Sequence, residues 1–232
     1  MVKNVSAQRL WGKAKESIRH GRFHGKSRAM PAHVKQLAEK LRIMGAPKQL
    51  LQLVLLIGIS ESLDVHACVD SLETFAGKKE VTKAFSRAGA VAVDFELDRG
   101  DDILDDDGFI LAVLMTMKLQ AGGAALSAPV CSTWVWINRA TSKRSTTSPL
   151  GDVSVPSVKA GNIMVARVIL LLMICHAKGI WWVLEQPLSS IMEMHPSFQA
   201  LLKLIPVFKH TISMKNFGAE TRKPTILYSS HA

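Results

Sequence analysis

From residue 69 onward the chain alternates short apolar runs with stretches of helical length, and this alternation constrains the fold more than any other feature. Runs rich in apolar and β-branched residues predict strands near residues 69–75, 90–96, 124–128, 180–184 and 225–228. Apolar residues at spacings of three and four predict helices near 81–88, 109–120, 162–177 and 196–204. Strands that alternate with helices pair through crossover connections, so the expected class is α/β, a mostly parallel sheet flanked by helices. Residues 134–159 are rich in Ser, Thr, Lys and Arg and carry no apolar period, which predicts a functional or mobile loop.

Composition sets the surroundings of that body. With 232 residues, 48% of them apolar, the chain can bury one sizeable core. The richest apolar runs, 50–60 and 168–175, fall short of the roughly 18 residues that cross a bilayer, so no transmembrane segment is expected. Cys68, Cys131 and Cys175 form no close pair, which argues against a disulfide framework or a cysteine zinc cage and for a reducing, intracellular setting, nuclear and organellar ones included. None of the eight histidines stands at metal-ligand spacing, so no metal is expected.

The net charge of +10 lies wholly in the first 50 residues, where twelve Lys and Arg face only Glu16 and Glu39. Residues 1–30 are too polar to bury a core and are expected to be a disordered basic arm. Three readings of the arm stay open: a targeting segment, a nucleic-acid-binding arm, or a solvated tail. Pro31 suits a first helical turn, and Val34, Leu37, Leu41 and Met44 predict a helix to about residue 48. A second, all-round apolar helix is predicted over 48–59. Residues 31–65 then form an N-terminal helical cap on a domain spanning 66–232.

In an open parallel sheet, ligands gather beyond the carboxyl ends of the strands, so the residues there are the candidates for function. After the first strand, Phe75-Ala76-Gly77 offers a glycine that lets a ligand approach backbone amides. After the second, Glu96 and Asp98 sit on one side of an extended segment where an acid commonly holds ribose hydroxyls. Asp102-Ile103 follows. After the next strand comes Pro129-Val130-Cys131, where a proline turn can expose a thiol, although most single cysteines are inert core filler. Glu185 ends a strongly apolar strand, where an ionised carboxylate costs several kcal/mol unless partnered, which favours a functional role. Trp181 and Trp182 read as core. Arg139, Lys143 and Arg144 read equally as phosphate contacts or solvated loop residues.

The order Phe75-Ala76-Gly77, Glu96-Leu97-Asp98, Asp102-Ile103, Pro129-Val130-Cys131, Glu185-Gln186-Pro187 and Phe217-Gly218 to Thr225 resembles the S-adenosylmethionine-dependent cytosine carbon-5 DNA methyltransferases. More closely, it resembles the divergent methyltransferase-like proteins of algae and dinoflagellates. The resemblance spans about residues 66–231 and implies a Rossmann-like methyltransferase fold. It implies that Phe75, Ala76 and Gly77 line S-adenosylmethionine, that Glu96 and Asp98 hold its ribose, and that Asp102, Ile103 and Pro129 frame the rest of the pocket. It further implies that Cys131 attacks the base, that Glu185 assists at a ring nitrogen, and that Arg139 and Arg222 lie near the substrate.

The sequence also departs from that pattern. Lys78-Lys79-Glu80 stands where the family's cofactor loop continues with glycine, Val130 replaces a proline, and Thr225 replaces an arginine. Three functions follow: a methyltransferase acting on a nucleic-acid base, a non-catalytic module of the same fold that binds nucleic acid or a protein, and a methyltransferase acting on protein or a small molecule.

Overall fold

The computed structural model of the chain describes residues 32–43 and 68–231. The predicted basic arm and the predicted helix over 48–59 lie outside the described residues. The chain divides into two compact units, Met1–His66 and Ala67–Ala232. In the first, α1 is a 12-residue helix, Ala32–Ile43, whose last turn carries Lys40 and Arg42 and whose Glu39 and Arg42 pair at 2.6 Å.

The second unit is α/β. It contains β1 (Val69–Thr74), α2 (Glu80–Arg87), β2 (Ala92–Phe95), α3 (Asp106–Met117), β3 (Leu119–Ser127), the short α4 (Arg139–Ser142), α5 (Pro156–Ala177), β4 (Trp181–Pro187), α6 (Pro196–Leu204), β5 (Phe208–Ser213) and β6 (Pro224–Ser229). Six strands form one sheet in the order β2-β1-β3-β4-β6-β5. β1 pairs in parallel with β2 and β3, and β3 with β4. β6 runs antiparallel to both β4 and β5, with Glu185 opposite Leu227 and His210 opposite that same Leu227.

Burial explains the strand positions. β1 is buried along almost its whole length, as a central parallel strand must be, and β4 alternates, with Trp182, Leu184 and Gln186 buried. The core helix is α5, 22 residues long and opened by Pro156, a residue suited to a first turn because its missing N–H would go unpaired there. Val165, Val168, Ile169, Leu171 and Leu172 are at most 2% exposed. α5 packs against α3, α6 and β4. By length and composition it is apolar enough to cross a membrane, a property core helices share, and half of its most apolar stretch is buried within this fold.

Two turns depart from expectation. Leu97–Arg99 is a 3-10 turn rather than extended chain, so Glu96 and Asp98 do not share a side, and Asp98 is exposed. The expected loop over 134–159 is structured by a 3-10 turn at Trp136–Asn138, by α4 and by the first turn of α5. Trp182 is core, but Trp181 is 58% exposed and stacks on His231 with ring centroids 4.6 Å apart, because it lies on the less covered face of β4.

Candidate functional site

Chain progression reverses between β1 and β3: β1 leads outward to β2, while β3 leads to β4 on the other side. Such a switch point leaves a crevice beyond the carboxyl ends of the two strands. Its floor is fixed by a buried hydrogen bond between the hydroxyls of Thr74 and Ser127, 2.6 Å apart, which pins the strand ends together.

On one side of the crevice runs Phe75-Ala76-Gly77-Lys78-Lys79. Phe75, Gly77 and Lys79 all take left-handed backbone angles, with φ of 59°, 46° and 60°. Gly77 is exposed, and a Cβ built on it meets nothing within 4 Å, so open space adjoins it. Lys79 adopts the left-handed conformation without being glycine and makes a 3.1 Å ion pair to Asp94, which also pairs with Arg99. The Gly77 N–H donates to Glu96 Oε2 at 2.6 Å, and the Leu97 N–H donates to Glu96 Oε1 at 2.9 Å. Glu96 therefore ties the loop after β1 to the end of β2. Behind that loop, buried Glu73 accepts from the backbone N–H and the hydroxyl of Thr82 at 2.7 and 2.6 Å, near the positive end of α2.

Asp102 and Ile103 form the next turn. Ile103 is buried, and Asp102 accepts from the Leu104 N–H at 2.8 Å. A Cβ on Gly108 would lie 1.7 Å from the Asp102 carbonyl oxygen, so only glycine lets α3 approach this turn. Arg167 of α5 clamps the same segment from outside, donating at 2.8 Å to the carbonyls of Ile103, Leu104 and Asp105 and pairing with Asp106 at 2.5 Å.

On the other side of the crevice stands Cys131. Its carbonyl accepts from the N–H groups of Trp134 and Val135, which turns the chain back after Pro129. The buried Gln186 donates to the Pro129 carbonyl at 2.9 Å and accepts from the Ser190 hydroxyl at 2.9 Å. Gln186, given no role of its own by the sequence, is thus the brace of the cysteine loop. Cys131 is half-buried, and burial holds its thiol above the ordinary cysteine range. The charge of Glu185 raises it further and that of Lys223 lowers it, which puts both groups within electrostatic reach of the sulfur.

Glu185 has the partner its setting requires: Lys223 Nζ donates to Glu185 Oε1 at 3.1 Å. The basic residue beside the candidate pair is Lys223 rather than Arg222, whose side chain is exposed. Arg139 is half-buried at the start of α4, and its Nε has no hydrogen-bond partner among the described residues. Arg144 is neither solvated nor free to meet solvent phosphates. It is 2% exposed, with its guanidinium 3.4 Å from the Trp134 ring centre, because stacking on that indole offers it more than a polar loop does.

Cys131 and Glu185 thus stand together at the carboxyl edge of β3 and β4, while Phe75, Gly77 and Glu96 cluster at that of β1 and β2. Asp98 and Arg222 point to solvent. Among the described residues no group of three or more His, Cys, Asp or Glu side chains is placed to hold a metal ion. Lys223 was missed in sequence for want of a register, and Gln186 because a buried amide leaves no periodic signal. No known protein-family model matches the chain, and no curated protein matches it either.

Proposed function

We propose that the chain transfers a methyl group from S-adenosylmethionine to a cytosine base of nucleic acid, on a Rossmann-like methyltransferase fold. One observation carries the reading: Cys131 and Glu185 lie within electrostatic reach of each other beside the switch-point crevice. The open space at Gly77, the carboxylate of Glu96 and buried Ile103 fit the cofactor's sulfonium end, ribose and adenine respectively. When bound, S-adenosylmethionine supplies the electrophilic methyl group. Cys131 adds to the ring carbon next to the one methylated, while Glu185 delivers a proton to the ring nitrogen, so that the electron pair of the addition reaches the neighbouring carbon. That carbon takes the methyl group, its own proton then leaves to solvent, the ring nitrogen returns its proton to Glu185, and the Cys131 sulfur departs as the thiolate, which restores the ring. Lys223 keeps Glu185 oriented and, as a nearby cation, favours the thiolate of Cys131. The basic arm would add salt-sensitive affinity for the polynucleotide.

A second reading, a non-catalytic module of the same fold, is favoured by Glu96: both of its oxygens already accept from backbone amides of this chain, one of them that of Gly77. Calorimetric titration with S-adenosylmethionine and S-adenosylhomocysteine separates the two. Micromolar binding by the wild type, lost in a folded Gly77→Trp variant, supports the first reading. Absence of binding by folded wild-type protein overturns it in favour of the second.

A further inference from the structure

Beyond Cys131 the chain folds around a pocket of about 190 Å³ lined by Ser132, Thr133, Asn138, Thr141, Ser142, Ser157 and Val158. At roughly 30 Å³ of liquid per water, that is the room of about six waters. Five of the seven lining side chains are hydroxyls, and none is a carboxylate. Ser157 and Val158 belong to the first turn of α5, whose cap residue Val155 offers no side-chain acceptor, so the positive end of a 22-residue helix faces this region.

The second observation is independent of the helix. Arg144 is 98% buried, and among the described residues no carboxylate partners it. Its donors end on neutral oxygens: the Pro149 carbonyl at 2.6 Å, Asn162 Oδ1 at 2.8 Å, Thr133 Oγ1 at 3.3 Å and the Val158 carbonyl at 3.0 Å. Its Nε has no partner. Burial draws its pKa down to about 10, which leaves it charged at neutral pH. Thr133 and Val158 are pocket walls, so the guanidinium, stacked on Trp134 but without a carboxylate counter-ion among the described residues, stands directly behind the lining. Because Thr133 Oγ1 accepts from Arg144 Nη2 and Ser142 Oγ accepts from the Arg144 N–H at 3.4 Å, each hydroxyl keeps its own proton free to donate to a ligand. A buried cation without a counter-ion costs several kcal/mol, and an anion held in the pocket would offset that cost.

We propose that this pocket binds a phosphoryl group, held by the hydroxyls of Thr133, Thr141, Ser142 and Ser157 with the charge of Arg144 behind them. The inference does not depend on methyl transfer. The phosphoryl group is either free, as inorganic phosphate, or a diester of a polynucleotide, and the two sources are told apart by experiment.

The test uses the full chain and a Thr141→Val/Ser157→Ala double variant, with circular dichroism to establish that both fold. Calorimetric titrations are run with inorganic phosphate and with a short single-stranded oligodeoxynucleotide, at constant ionic strength. Each charge-assisted hydrogen bond removed is expected to weaken binding about tenfold. Phosphate affinity that drops by that order or more in the variant supports a free phosphoryl ligand. Oligonucleotide affinity that drops alone supports a diester. If neither affinity changes in the folded variant, the anions are going to the twelve basic residues of the first 50 positions, and the pocket proposal is overturned.

Discussion

Replacing Gln186 tests whether the cysteine loop is braced as the structure indicates. Gln186 is completely buried and makes two 2.9 Å hydrogen bonds, one to the Pro129 carbonyl and one from the Ser190 hydroxyl. In Gln186→Met the volume is nearly kept, and both partners are left without this bond. Leaving a buried polar group unsatisfied costs about 1–3 kcal/mol, so the two together should cost about 2–6 kcal/mol, less whatever the Ser190 hydroxyl recovers by turning elsewhere. With a urea slope of about 2 kcal/mol/M, the unfolding midpoint should fall by roughly 1–3 M, the energy lost being a large share of the roughly 5–15 kcal/mol that a domain usually has. The same loss frees the Pro129 turn, so Cys131 should react faster with iodoacetamide under native conditions, at concentrations of urea well below the transition. Urea unfolding followed by circular dichroism, with alkylation rates in parallel, gives both quantities. A midpoint shift under about 0.3 M together with unchanged Cys131 reactivity would refute the brace.

Three further outcomes follow from the site and its surroundings. Alkylation of Cys131 should rise with pH through an inflection above the ordinary cysteine value, since burial and then Glu185 disfavour the thiolate; Glu185→Gln should move the inflection down and Lys223→Met should move it up, as read from rate-versus-pH curves. His195, buried against Trp134, has its pKa lowered from 6.5 to about 4 by burial and then by the charge of Arg144. The unfolded chain then binds more protons than the folded one between those values, so stability should be intact above about pH 6.5 and fall as the pH drops toward 4. His195→Asn, which keeps a cap for α6, should flatten that fall in urea midpoints measured across the range. Gly108→Ala forces the Asp102 turn outward by more than an ångström and should cost about 1–3 kcal/mol in thermal or urea unfolding, with weaker cofactor binding if Ile103 frames the adenine.

Much of the framework could be read from the sequence because its elements bury continuous apolar faces. β1, β2, β4 and β6 lie over the predicted runs, and α6 is the helix expected at Pro196–Leu204, whereas β3 opens at Leu119, five residues before its predicted run and inside the end of the helix predicted to 120, which stops at Met117. β5 was not foreseen: Phe208-Lys209-His210-Thr211 is exposed along an edge strand, so no alternation of apolar and polar residues marks it. α5 starts six residues before its apolar period does, because Pro156-Ser157-Val158-Lys159 is held by backbone bonds to Val155 rather than by a hydrophobic stripe. Among site residues, Cys131, Glu185, Gly77 and Glu96 could be named from their places at strand ends. Arg144 could not be read correctly, since its burial depends on Trp134 ten residues earlier folding back beneath it. Arg167 was equally hidden, since its partners at Ile103 to Asp106 lie more than 60 residues away in sequence.

The identity of the cation beside Glu185 is a consequence of strand register. β6 enters the sheet antiparallel to β4, with Glu185 opposite Leu227 and Pro187 opposite Thr225. Side chains alternate faces along a strand with a period of two, so Leu227 and Thr225, and Lys223 by extension of the same parity, share the face of Glu185, while Arg222 falls on the other. Lys223 accordingly reaches Glu185 and Arg222 lies in solvent. The same alternation within β4 sends Gln186 to the opposite face from Glu185, where it meets Pro129. Two adjacent residues of one strand thus serve the cysteine in different ways, one through charge and one by bracing its loop. A one-residue insertion between Lys223 and Thr225 should break the ion pair by turning Lys223 to the opposite face, and should bring Arg222 onto the face of Glu185. Restoring an inflection of Cys131 like that of the wild type would then require Arg222 to take over the role, and a rate-versus-pH curve for the insertion variant alongside Lys223→Met distinguishes the two. If the insertion behaves like wild type while Lys223→Met does not, charge alone governs Cys131 and register does not.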